Sequence, residues 1–131
     1  MGRRTRDRHA GRTARQDQSV LDVGSKSLEI ARRRGVKIVY GTDLIGPLHR
    51  HQSLEFSIRG EVLPPIDVIR STTSTAAELF NMTAEIGRVA VGLRADLLAI
   101  DGNPLDDLSL LQDQARLMMI LKDGDIHKHD L

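Results

Sequence analysis

Apolar and polar positions along this chain follow two textures. From Gln16 to Arg34, the residues Val20, Leu21, Gly24, Leu28 and Ala31 recur at steps of three and four, the repeat of a helix with one buried face. Val23 and Ile30 widen that face. The cluster Arg32-Arg33-Arg34 complements the negative end of the helix dipole, and Gly35 stands where a helix usually ends. Directly after it, Val36-Lys37-Ile38-Val39-Tyr40 is a short, mostly apolar run that suits a buried parallel strand, closed by the small-residue turn Gly41-Thr42-Asp43. Barrel and open α/β folds place their chemistry at such strand ends. A lone strand of this kind cannot bury itself, so it also predicts partners on both sides.

Beyond Asp43, Gly46 and Pro47 punctuate a predicted loop, 44–53. A short helix is predicted over 53–60, with Leu54, Phe56 and Ile58 partly buried. A second runs from about Pro65 to Ser71, its prolines welcome in the first turn. The Ser/Thr run 71–75 interrupts it, because hydroxyls compete for backbone groups. Thr75-x-x-Glu78 fits a capping box for a further helix through Phe80. From Ile86 the texture changes to short β-type runs between glycines. Gly87 and Gly92 bracket Val89 and Val91, a strand is predicted over 95–101, and another over 117–121 runs into the hairpin signal Lys122-Asp123-Gly124 before Ile126. This is a small, mostly antiparallel module with too few strands to stand alone.

Composition adds limits. A hydrophobic fraction of 40%, a charged fraction of 28% and only 2% aromatics describe a soluble globular protein with an aliphatic core. Without cysteine there is no disulfide framework and no thiolate site. No apolar run approaches a membrane span and no secretory leader is visible, so a cytoplasmic location is expected and no membrane partner. The net charge of +1 hides an asymmetry: residues 1–15 hold six arginines against Asp7, while 17 of the 18 acidic residues lie beyond them. This basic tail reads as a disordered extension rather than a nucleic-acid arm.

His49 and His51 form a His-x-His pair, which on a strand would point the same way and suit zinc. Following Gly-Pro, and set between Arg50 and Gln52 in a loop, the pair reads instead as a substrate-side contact or gate. His127 and His129 lie in the last five residues and read as a solvated tail. The threonines of 72–75 have no adjacent base and read as structural.

Gly41-Thr42-Asp43, then Ala76-Ala77-Glu78-Leu79, then Ile86-Gly87-Arg88-Val89-Ala90-Val91-Gly92-Leu93-Arg94-Ala95-Asp96-Leu97-Leu98, then Asn103-Pro104-Leu105 carry a resemblance. In this order and spacing, over about residues 18–128, the chain resembles the C-terminal end of a metal-dependent amidohydrolase. It is most similar to the imidazolonepropionase-like branch, which includes Xaa-Pro dipeptidase-like hydrolases.

The resemblance implies an α/β fold: the C-terminal part of a TIM-like β/α barrel over 16–82, followed over 83–131 by a portion of a β-sandwich assembled from both chain ends. Asp43 would match the aspartate after the last barrel strand, a ligand of a divalent metal, zinc on this expectation, and the general base toward the metal-bound water. The alternative for Asp43 is a cap or turn aspartate; Asp96 is expected in a turn or fold role. The other ligands implied, a His-x-His, a bridging lysine or carboxylate and two histidines, would lie upstream. A whole barrel needs roughly 250 residues. The chain is therefore expected to be a truncated or mis-started C-terminal fragment that binds no metal alone, while the complete enzyme hydrolyses carbon–nitrogen bonds in a small amide or peptide. A non-catalytic interaction fragment or gene remnant is the alternative. Self-association is expected through Val36, Ile38 and Val39, whose covering strands would be missing.

Overall fold

The computed structural model describes residues 22–131; the basic tail and positions 16–21 of the first predicted helix lie outside the described residues. Helix α1 covers 22–33. It ends as its sequence predicts, because Gly35 takes φ +69 and frees two closing hydrogen bonds. Gly35 N–H donates to the Arg32 carbonyl at 3.0 Å and Val36 N–H to the Ala31 carbonyl at 3.0 Å. These are the two bonds of a Schellman stop, which satisfies carbonyls that the helix leaves open. Leu28 and Ala31 are half-buried, whereas Val23 and Ile30 stay exposed.

Residues 36–45 are extended or irregular and join no ladder among the described residues. The predicted strand is thus an extended segment, tied instead to side chains and loops: Tyr40 N–H donates to the Ser71 carbonyl at 3.1 Å. The expected loop that follows is largely a 3-10 helix, Gly46–Leu54, which runs on into α2, Glu55–Gly60. Pro47 sits in its first turn, where a missing N–H costs nothing, so Gly-Pro starts a helix here rather than breaking one.

Helix α3, Pro65–Thr72, buries Val68 and Ser71. Its end is written in hydroxyls. Ser71 Oγ donates to the Val68 carbonyl at 2.6 Å, and the Thr72 and Thr73 hydroxyls both donate to the Ile69 carbonyl at 2.8 Å. Thr73 is the N-cap of α4, Ser74–Leu79, without a side-chain cap bond. The expected capping box at Thr75 is therefore absent: Thr75 lies inside the helix, and the hydroxyl that could cap is turned back to the preceding one.

The C-terminal sheet has three antiparallel strands in the order β1-β2-β3: Leu97–Ile100, Leu117–Lys122 and Asp125–His129. Leu97 pairs with Leu121, Leu98 with Ile120, and Met119 with His129. His127 and His129 accordingly sit in a paired strand rather than a frayed tail, although both are exposed. Val89 and Val91 belong to no strand and are open to solvent. The hairpin turn forms as predicted, with Asp123 at φ +51 and Gly124 at φ +88, both on the side that a tight primed turn demands.

One small core joins helices and sheet module. Leu63, Val68 and Leu108 are its buried members, with Phe56, Val62, Ile69 and Leu111 packed against them. Leu108 and Leu111 come from a second 3-10 helix, Leu108–Leu111, whose N-cap Asp107 accepts from Ser109 N–H at 2.8 Å. Gly60 lets this helix approach α2, since a Cβ there would lie 2.8 Å from Leu108 Cδ1.

Candidate active site around Asp43

Asp43 follows the extended segment directly. Its φ of +52 places it in the left-handed region, which aspartate tolerates better than most residues. The N-cap of the next helix is Ile45, with no side-chain cap bond, so Asp43 sits on irregular backbone and does not cap that helix. Its carboxylate is exposed and makes no hydrogen bond or ion pair among the described residues. Thr42, next to it, is engaged: its Oγ1 accepts from Leu44 N–H at 3.5 Å.

His49 and His51 lie on the 3-10 helix Gly46–Leu54, exposed, and not in the loop expected. Arg50 Nε donates to His51 Nε2 at 2.9 Å, so that ring nitrogen is already occupied. Among the described residues no three His, Cys, Asp or Glu side chains gather closely enough to hold a metal ion. About three protein ligands are usual for a catalytic zinc. The residues present do not fit a complete centre, and Asp43 stands as a single donor.

A group to which the sequence assigns no role lies beneath this segment. Arg59 is only 6% exposed and pairs with Glu55 on the same helix, Nε reaching Oε1 at 2.6 Å. Its Nη1 donates to the Val39 carbonyl at 3.1 Å, and its guanidinium lies over the Tyr40 ring, 5.0 Å from the centroid. Tyr40 also meets Phe56, with ring centroids 4.7 Å apart, and its hydroxyl donates to the Gln52 carbonyl at 2.7 Å. Burial, and secondarily the Glu55 carboxylate, push the phenol up to about 12 against the opposing pull of Arg59. The signal that could have found this group is the four-residue spacing of Glu55 and Arg59 beside the chain's single tyrosine.

A separate cleft of about 220 Å³ lies at the opposite end of the extended segment, lined by Gly35, Val36, Lys37 and Ile38 together with Arg32, Asp67 and Arg70. Asp43 is not part of it.

The amidohydrolase family profile matches residues 5–127. The chain belongs to the amidohydrolase family. Such enzymes are in general metal-dependent hydrolases. Among solved structures, this amidohydrolase chain is similar to a prolidase crystallised with N-methylphosphonate-L-proline, at 46% identity and a TM-score of 0.77, over 81% of this chain and 26% of that one. It is also similar to a Xaa-Pro dipeptidase with methionine bound in its active site, at 32% identity and a TM-score of 0.72, over 79% of this chain and 25% of that one. By sequence it is 27% identical over 112 residues to the ochratoxinase of Aspergillus niger, covering 85% of this chain and 23% of the relative. It thus spans about a quarter of the length of these relatives. The resemblance read from Gly41-Thr42-Asp43 and the Ile86–Leu98 block is shown, including its prolidase-like side. Among the described residues no helix is long and apolar enough to cross a membrane.

Proposed function

We propose that this chain is the C-terminal segment of a hydrolase for carbon–nitrogen bonds in small amides or peptides, and that Asp43 is its contribution to the reaction. On this reading residues 16–82 form the end of a TIM-like β/α barrel and 83–131 a part of the accompanying β-sandwich. The observation that carries the proposal is the Asp43 carboxylate itself: exposed at the end of the extended segment and spent on neither capping nor pairing among the described residues. The relatives support the bond class, one being a prolidase bound to a proline phosphonate and another a Xaa-Pro dipeptidase. Asp43 would accept a proton from the attacking water and return it to the leaving nitrogen, a task suited to a positioned carboxylate. A divalent ion, zinc on this reading, would rest mainly on ligands outside these 131 residues, with Asp43 the one donor this chain adds. His49 and His51 are proposed to contact or gate the substrate.

The test is hydrolysis of Xaa-Pro dipeptides and aryl amides by the polypeptide that contains this segment together with the rest of the barrel. Asp43→Asn is expected to cut kcat by about 10²- to 10⁴-fold, the usual yield of a general base. Activity within a few-fold of the parent would remove Asp43 from the reaction. The chain alone is expected to hydrolyse none of these substrates.

A further inference from the structure

The segment that carries Asp43 is closed at its base. Tyr40 stands just before it and Gln52 just after His51, twelve positions on, and the phenol hydroxyl joins them by its 2.7 Å bond to the Gln52 carbonyl. Between them lie Asp43, on exposed irregular backbone, and His49 and His51, exposed on the 3-10 helix that leads into Gln52. Tyr40 itself is held firmly. Its ring meets Phe56, tilted against it with centroids 4.7 Å apart, and the Arg59 guanidinium, 5.0 Å from the ring centroid. Arg59 in turn fixes the backbone one residue earlier through the Val39 carbonyl, and its own orientation is set by paired contacts to Glu55. Phe56 packs against the buried cluster of Leu63, Val68 and Leu108. A continuous line of contacts therefore runs from the core, through α2, to both ends of the Asp43 segment.

We propose that Arg59 is a positioning residue for the segment 41–51, acting through Tyr40, whose hydroxyl clasps the two ends of that segment together. The functional weight of this inference rests on the reading of Asp43 as the working carboxylate; the clasp itself does not. Arginine suits the post because its planar fork can serve a carboxylate, a carbonyl and a ring face at once, which a lysine ammonium cannot. The clasp bond lies at the surface, where water can replace a lost partner, so its contribution is that of one ordinary hydrogen bond.

The experiment uses Tyr40→Phe, which removes the clasp and keeps the ring contacts. Hydrogen–deuterium exchange of the chain is expected to speed up about 3- to 10-fold in peptides covering 41–51, the range given by one hydrogen bond, with peptides covering 65–79 unchanged. No acceleration in 41–51, or equal acceleration in both regions, would overturn the clasp. In the polypeptide that carries the hydrolase activity, the same variant is expected to lower kcat about tenfold or more while KM moves less than about twofold, because a loosened group is misplaced rather than unbound. Unchanged kcat despite faster exchange would overturn the positioning role. Arg59→Met should reproduce both effects and Arg59→Lys should recover only a part; full recovery by lysine would show that charge alone suffices and would sink the role of the fork. Should Tyr40→Phe fail to fold, Arg59→Met read by the same exchange decides: acceleration confined to 41–51 supports the clasp, and no acceleration there overturns it. Retained activity in Asp43→Asn would overturn only the reading of Asp43, leaving the exchange result to stand by itself.

Discussion

At the residue scale, two ionisable side chains show how position decides behaviour. Tyr40 is the single tyrosine and there is no tryptophan, so absorbance near 295 nm reports this phenol alone. With its folded value raised to about 12, the native state holds the proton more tightly than the unfolded chain does. The contribution is whole below the unfolded value of about 10 and is lost as pH climbs toward 12. A denaturation midpoint that holds constant from pH 10 to pH 12 would contradict this. Asp96 moves the other way. It accepts from Asp123 N–H at 2.7 Å and from Lys122 Nζ at 2.9 Å, and these bonds hold its carboxyl below the usual range. Its contribution is present above the ordinary aspartate value and fades as pH falls through the lowered one. Asp96→Asn is expected to lower the thermal midpoint at pH 7 and to do so less at pH 3, readable by circular dichroism. The Ala95-Asp96 pair of the sequence block thus serves the fold: Gly124 N–H returns to the Ala95 carbonyl at 3.1 Å, so both residues hold the β2–β3 turn.

At the element scale, Gly87 answers to close approach as well as to backbone conformation. Gly87 has φ +96, and a Cβ built there would lie 2.6 Å from Ala77 Cβ and 3.2 Å from Ser74 Cα, the latter a backbone atom that cannot swing aside. Its absence of a side chain lets the loop after α4 lie flat on that helix, where Ala77 is buried. Gly87→Ala is expected to destabilise by about 2–4 kcal/mol, combining left-handed strain with overpacking; a urea midpoint near the parent's would refute it. Val68 is fully buried at the centre of the small core. Val68→Ala should cost about 2 kcal/mol in the same measurement. The ion pairs that link elements matter less. Arg32 with Asp67 joins α1 to α3 at 3.1 Å with both side chains over a third exposed, so its removal is expected to cost under about 1 kcal/mol.

At the scale of the whole molecule, the surface is more apolar than so small a core suggests. Val36, Ile45, Leu48, Leu79, Phe80 and Val91 are all exposed, and the extended segment 36–40 offers backbone groups to no strand among the described residues. Such a surface favours contact with further polypeptide. The chain by itself is therefore expected to bind an apolar dye such as ANS and to elute earlier from a sizing column as concentration rises. A compact, dye-silent monomer at all concentrations would count against this. Coverage of about a quarter of its relatives is consistent with the same need for neighbours.

The sequence by itself determined what depends on neighbours along the chain. The stop of α1 at Gly35, the proline-led start of α3, the Lys122-Asp123-Gly124 turn and the two flanking strands all follow from local backbone preference and short-period patterning. The order of Gly41-Thr42-Asp43 and the Ile86–Leu98 block was enough to place the chain in its family. Tertiary structure decided what depends on distant partners. A run such as Val36–Tyr40 states that it is extended but not what lies beside it, and here Arg59 and Ser71 hold it where a strand was expected. Gly46-Pro47 permits either a loop or a helix, and continuity with α2 selects the 3-10 turn that carries His49 and His51. Thr75 satisfies a capping pattern that Thr73 and Ile69 pre-empt. The clasp between Tyr40 and Gln52, and the guanidinium that steadies it, join residues that no periodicity relates, because packing against Leu63, Val68 and Leu108 brings α2 beneath the Asp43 segment.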